Sequence, residues 1–230
     1  MIMGSARRFS FEKTRQENSR EPKQPRWLSY AEIQGQFNEI MLSIQQKSML
    51  ADDLVKRGQK EDAEDIWRSQ IVFAFSALDY FMHELAVYGV VSIFDKSWTG
   101  EKSESYQNIE ISLKELEDVR QMMIEDTDNS AWLREKMKRR YESKTFMNPT
   151  EIKKLLKTLG IDAETVLPSQ LHTEISNAYD RRCKIVHAAD RDINTKTRVP
   201  LAQKDADDIM KSITRLADNI TREVQAKESG

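Results

Sequence analysis

Cysteine, histidine, glycine and proline are all scarce in this chain, and each scarcity removes a class of structure. A single cysteine, Cys183, excludes an internal disulfide, and with only three histidines beside it no set of Cys and His has the spacing of a zinc site. Seven glycines and five prolines in 230 residues leave few of the turns that a strand ladder needs, and no convincing ladder is visible. No stretch is read as approaching the roughly 20 apolar residues that cross a bilayer, and the start of the chain lacks the apolar run of a secretory signal. The expectation is a soluble, cytoplasmic protein without a membrane partner. Charge of one sign is also missing. A net charge of -2 and a pI near 6.0 exclude a uniformly basic nucleic-acid coat while leaving room for a local basic surface.

What is present is helical patterning. Charged residues make up 32% of the chain and apolar positions recur every three or four residues, the period of amphipathic helices, so the sequence predicts an all-α fold. A mass of 26.8 kDa suits one domain with a real core. Residues 1–29 hold seven basic and three acidic side chains without a periodic apolar face, and read as a flexible basic N-terminal arm. Residues 30–226 form the predicted domain. Its first helix starts at a Ser29 cap, carries Ile33, Phe37, Ile40, Met41, Ile44 and Leu54 on one side, and ends at Gly58. A second helix opens in the acidic run 61–65 and continues to about Phe94, apolar around most of its circumference, as a central element should be.

Residues 98–148 read as a charged helical insertion. Its charge changes sign: residues 101–128 hold nine acids and three bases, whereas residues 134–157 hold nine bases and three acids. Such runs are solvated faces in most proteins, although a basic face can also track a phosphate backbone. After a turn at Asn148-Pro149 come a short helix to Leu159, a helix from about Gln170 to Val186, and a last helix from about Ala202 to Val224.

The chemistry concentrates at Arg181-Arg182-Cys183-Lys184-Ile185-Val186-His187. Histidine is the side chain whose ordinary titration lies near neutrality, and arginine is a permanent cation able to hold a phosphate; together they supply what RNA cleavage without a metal requires. Five helical positions turn through about 140°, so a long arginine can still bend toward a histidine at the helix end.

The stretch from Arg182 to His187 resembles the signature of HEPN domains, in which an arginine precedes a histidine by a few residues within an all-helical bundle. Ser76 to Leu85, inside the apolar central helix, is similar to the helix with an early acidic residue found upstream in that family. The likeness covers about Ala31–Phe94 and Thr150–Val224. It implies a HEPN-like antiparallel helical bundle with a helical insertion, dimerising through its central helices. It also implies a metal-independent endoribonuclease that needs no cofactor and leaves a 2′,3′-cyclic phosphate, often a toxin or an effector of prokaryotic antiviral defence. Arg182 and His187 are then the catalytic pair in a composite site between two copies, with RNA as substrate and an antitoxin or defence protein as a possible further partner.

One departure stands out: the position after the arginine is commonly polar in that family and here is Cys183, a weak hydrogen-bond donor. If Arg181 were the active arginine, Arg182 would fill that position. Arg181, Cys183, Asp79 and Glu84 are therefore supporting candidates, and Lys184, Arg191, Lys196 and Arg198 are candidates for holding the RNA backbone. Against this stands a purely structural reading, in which Arg182 pairs with Asp79 or Glu84 and His187 caps the last carbonyls of its helix. His83 reads as a core or interface residue, His172 has no evident partner, and Trp98 suits a core edge better than base stacking. The alternative function is a non-catalytic dimerisation module that binds RNA, a nucleotide or a partner protein.

Overall fold

The structure, a computed structural model, describes residues 27–125 and 130–229. The basic arm, apart from its last three residues, lies outside the described residues. Among the described residues ten helices follow in order: α1 (Tyr30–Gln46), α2 (Ser48–Lys56), α3 (Lys60–Phe94), α4 (Glu104–Gln107), α5 (Leu113–Glu125), α6 (Ala131–Tyr141), α7 (Pro149–Thr158), α8 (Ala163–Val166), α9 (Ser169–Ala188) and α10 (Gln203–Ser229). Among the described residues the only extended pairing is an isolated bridge between Arg191 and Arg198, so the fold class is all-α.

Local signals start the helices where the sequence puts them. Ser29 and Glu32 form a reciprocal capping box at α1, and Asn148 caps α7 with Pro149 in its first turn. The first helix is nevertheless two helices, broken at Lys47. There the Lys47 N–H bonds back three residues to the Ile44 carbonyl, and the buried Gln70 side chain donates to that same carbonyl at 2.8 Å and to Ser48 Oγ at 2.9 Å. A fully buried amide from another helix thus satisfies the interrupted ladder.

α3 is the axis of the molecule. α1 runs antiparallel to it: Gln36 bonds to Tyr80, and the Phe37 and Phe81 rings lie 5.2 Å apart. α9 is also antiparallel to α3, with the rings of Tyr179 and Phe75 6.1 Å apart, whereas α10 runs parallel to α3 and ends where Glu228 bonds to Tyr88. Phe37, Phe75, Phe81, Leu78 and Leu85 are enclosed among these helices. Burial of each such side chain contributes about 1.5–3 kcal/mol before the entropy of ordering it is counted.

Length and composition alone would let α3 cross a membrane, which corrects the expectation that no segment approaches such a span. In the fold it is surrounded by α1, α2, α6, α9 and α10.

The insertion does more than decorate the surface. α6 sends Leu133, Met137 and Tyr141 into the common core, against the half of α3 that α9 leaves uncovered. Trp98 closes a core edge above Gly89, where an added Cβ would stand 2.9 Å from the indole and 2.8 Å from Leu159. Only glycine permits that approach.

Candidate functional site

α9 carries the Arg-His segment toward its exposed end, with Ile185 still packed against the core. Leu171, Ile175 and Ala178 are buried, whereas Val186 is 45% exposed and His187 is exposed. After His187 the chain turns through two successive left-handed residues, Ala189 (φ 50°) and Asp190 (φ 55°), and the Asp190 N–H returns to the Lys184 carbonyl at 3.0 Å. Left-handed backbone is unfavourable for residues with a Cβ. Here it folds Asp190 back beneath the helix.

Asp190 is completely buried, and its Oδ2 accepts from Arg68 Nε and from Arg181 Nη2, each at 2.8 Å. Arg68 also donates to Glu64 at 3.0 Å and to the Val199 carbonyl at 2.8 Å. Burial works against the Arg68 cation, but the hydrogen bonds and charges of Asp190 and Glu64 outweigh it and hold its pKa above the ordinary arginine value. Arg181 adds bonds of 3.3 Å to the carbonyls of Val199 and Pro200. The corner therefore ties α3, α9 and the 190–200 hairpin together.

Arg182 lies one residue, about 100°, further around α9. It makes no ion pair among the described residues, and its Nε is buried without a hydrogen-bond partner. His187 follows at the exposed end of the same helix, also with no hydrogen bond or ion pair. Between them Cys183 shares a hydrogen bond with the Tyr179 hydroxyl, which together with burial pushes that phenol above its usual range. A permanent cation and a titratable ring thus stand on one helix end with their polar atoms uncommitted. Such a pair can bind a phosphate and move a proton at it.

No family model, curated protein or solved structure matches this chain.

The structural reading of Arg182 does not hold within the chain, because Asp79 and Glu84 are engaged on another side of α3. Asp79 Oδ1 accepts from the Phe146 N–H at 2.5 Å and from Thr145 Oγ1 at 3.3 Å, and lies 3.9 Å from His83 Nε2. Glu84 lines a groove with Lys138 and Arg139, and desolvation raises its pKa despite the nearby Lys138. Neither carboxylate joins Arg182 or His187, so their supporting role is withdrawn for a single chain. Arg181 is likewise a structural residue, since its guanidinium is spent on Asp190.

The proposed backbone contacts divide. Arg191 donates to the Lys196 carbonyl at 2.7 Å inside the hairpin, and Arg198 pairs with Asp65 of α3. Arg191, Lys184 and Lys196 are exposed and none forms an ion pair among the described residues, although the Lys184 charge helps hold the Asp192 carboxyl down. His83 bonds the Lys144 carbonyl at 3.1 Å and stacks edge-on against Phe146, in keeping with its reading as a packing residue. Arg68 was not legible as part of this corner. A lone arginine in the apolar run Ile66 to Phe75, four residues after Glu64, was the available signal.

Among the described residues no three His, Cys, Asp or Glu side chains converge as metal ligands do.

Proposed function

We propose that the chain is a HEPN-type, homodimeric, metal-independent endoribonuclease in which Arg182 and His187 form the catalytic pair. The observation that carries this reading is the different fate of two adjacent arginines. Arg181 is absorbed by the buried Asp190, while Arg182 and His187 stay unpaired at an open helix end. A pair with only a structural task would be expected to have partners.

The chemistry balances without a cofactor. His187 takes the proton of an RNA 2′-hydroxyl, the 2′-oxygen forms a bond to phosphorus, and the bond from phosphorus to the 5′-oxygen breaks. The departing oxygen receives a proton from a second, protonated histidine, and Arg182 stabilises the charge on the phosphoryl oxygens. The product is a 2′,3′-cyclic phosphate. DNA lacks the attacking hydroxyl and is not cut.

One chain has one His187, so acid and base come from two copies across a twofold axis. Phe73, 50% exposed on α3, and Ile40, 37% exposed on α1, supply apolar surface for such a pairing through the central helices. A role as a toxin or as an effector of antiviral defence belongs to the same proposal.

The test is cleavage of total RNA in EDTA by the parent protein and by Arg182→Ala and His187→Ala variants verified as folded by circular dichroism. Cleavage by the parent alone, leaving cyclic phosphate ends, supports the assignment. Equal activity in all three refutes it.

A further inference from the structure

A second basic cluster lies on α6, away from the Arg182–His187 pair; there Arg140 hydrogen-bonds the Tyr141 hydroxyl, while Arg139 has no hydrogen-bond partner among the described residues. Arg139 and Arg140 are exposed and form no ion pair among the described residues, and Lys144 stands exposed just beyond the helix end. Most other cations of the basic stretch are engaged. Lys136 is bound to Glu115 at 2.6 Å, Lys153 to Glu164 and Lys154 to Glu151. Arg134 and Lys138 lie over the Trp27 ring at 5.5 and 5.1 Å.

Arg139 also forms the wall between two grooves. On one side is a groove of about 370 Å³ between α5 and α6, lined by Glu115, Trp132, Glu135, Lys136, Arg139 and Arg140. The indole Nε1 of Trp132 is buried there without a hydrogen-bond partner, as are those of Trp67 and Trp98 in the core. On the other side is a groove of about 400 Å³ between α6 and α3, lined by His83, Glu84, Glu135, Arg139 and Glu142. The carboxylates of both grooves repel a phosphate but accept hydrogen bonds from the exocyclic amino group of a base, so the phosphate falls to the arginine ridge between them.

We infer that α6 is a docking site for single-stranded RNA, with a phosphodiester on Arg139 and Arg140 and the two flanking nucleotides seated in the grooves on either side. Two nucleotide-sized grooves that share one guanidinium fit consecutive residues of a strand, which is why a chain, rather than a free mononucleotide, is the occupant. The inference rests on RNA being the substrate. Arg68 and His83 stand fifteen residues apart on α3, about 22 Å at helical rise. The α6 site therefore holds the strand several nucleotides from the bond that is cut, and acts in binding rather than in chemistry.

The experiment measures RNA affinity by fluorescence anisotropy in the non-cleaving His187→Ala background, so binding is read independently of nuclease activity. The probe is a labelled single-stranded oligonucleotide, with inorganic phosphate and AMP as competitors. Arg139→Gln/Arg140→Gln, both surface changes, should weaken binding on the order of tenfold and reduce the salt dependence by about two counterions. Trp132→Phe, which keeps the ring and removes the donor, should weaken it less. Neither AMP nor phosphate should displace the strand at concentrations near its own dissociation constant. Unchanged affinity and salt slope in the arginine double variant overturn the inference, whether the protein cleaves RNA or not. Displacement by AMP as effective as by the oligonucleotide also overturns it, in favour of a mononucleotide pocket. A double variant that still cleaves short substrates but loses long ones supports both readings at once.

Discussion

Arg181 and Arg182 are the same residue type in adjacent positions, and the fold treats them in opposite ways. Arg181 points to the side of α9 that closes on α3 and the hairpin, where a buried carboxylate takes its charge. Arg182 points to a side where no carboxylate among the described residues pairs with it. The locked corner and the open edge differ by a rotation of about 100°, yet one is structural material and the other is available for chemistry. An arginine's role is set by what faces it, and that is a property of the assembled helices.

The strongest way to break this contrast is to remove the carboxylate. Asp190→Ala leaves Arg68, 4% exposed, without its principal counter-charge, and should lower stability by about 3–5 kcal/mol in urea unfolding. A loss below about 1 kcal/mol would mean that the corner is not what holds the hairpin to α3. Next come the two arginines themselves. Arg182→Ala and His187→Ala should each lower RNA cleavage on the order of 10²–10⁴-fold, with stability within about 0.5 kcal/mol of the parent. Arg181→Ala should do the reverse, costing about 1–3 kcal/mol of stability and retaining cleavage under conditions where it is folded. Swapped outcomes would move the catalytic role to Arg181.

A smaller effect tests the turn that creates the corner. Ala189 adopts φ 50° and ψ 31°, so Ala189→Gly should relieve the left-handed penalty and raise stability by about 1 kcal/mol, seen as a higher Tm. The smallest effect compares the buried ion pair with an exposed one. The hydrogen bond from Lys136, then those from Ser112, hold the Glu115 carboxyl down to about 2. Its folded value lies below its unfolded one, so its contribution is complete above the ordinary carboxylate range and disappears as pH falls toward 2. The difference in stability between the parent and Glu115→Gln should therefore be constant near neutrality, shrink as pH falls below the ordinary carboxylate range, and be mostly lost near pH 2.

Much of the architecture was legible because it is written locally. The Ser29 cap, the Asn148–Pro149 start and the apolar character of α3 are matters of neighbouring residues, and they appear close to the predicted places. The break at Lys47 was not legible, since the residue that makes it tolerable, Gln70, lies on another helix. Nor was the part played by α6 in the core. Its charges announce a solvated helix, and only the vacant half of α3 explains why Leu133, Met137 and Tyr141 are buried. Arg198 looked like a backbone-binding cation until Asp65, 133 residues away, was found beside it.

By itself the sequence determined that the chain is helical, roughly where its helices begin and end, and that arginine and histidine share one helix end near its C-terminus. These follow from periodicity and capping, which act over a few residues. Tertiary structure alone decided which arginine is free, because the choice depends on Arg68 and Asp190, 122 positions apart, meeting in a buried ion pair. Helical spacing carries no information about partners so distant, and burial makes their charges bind each other rather than a ligand.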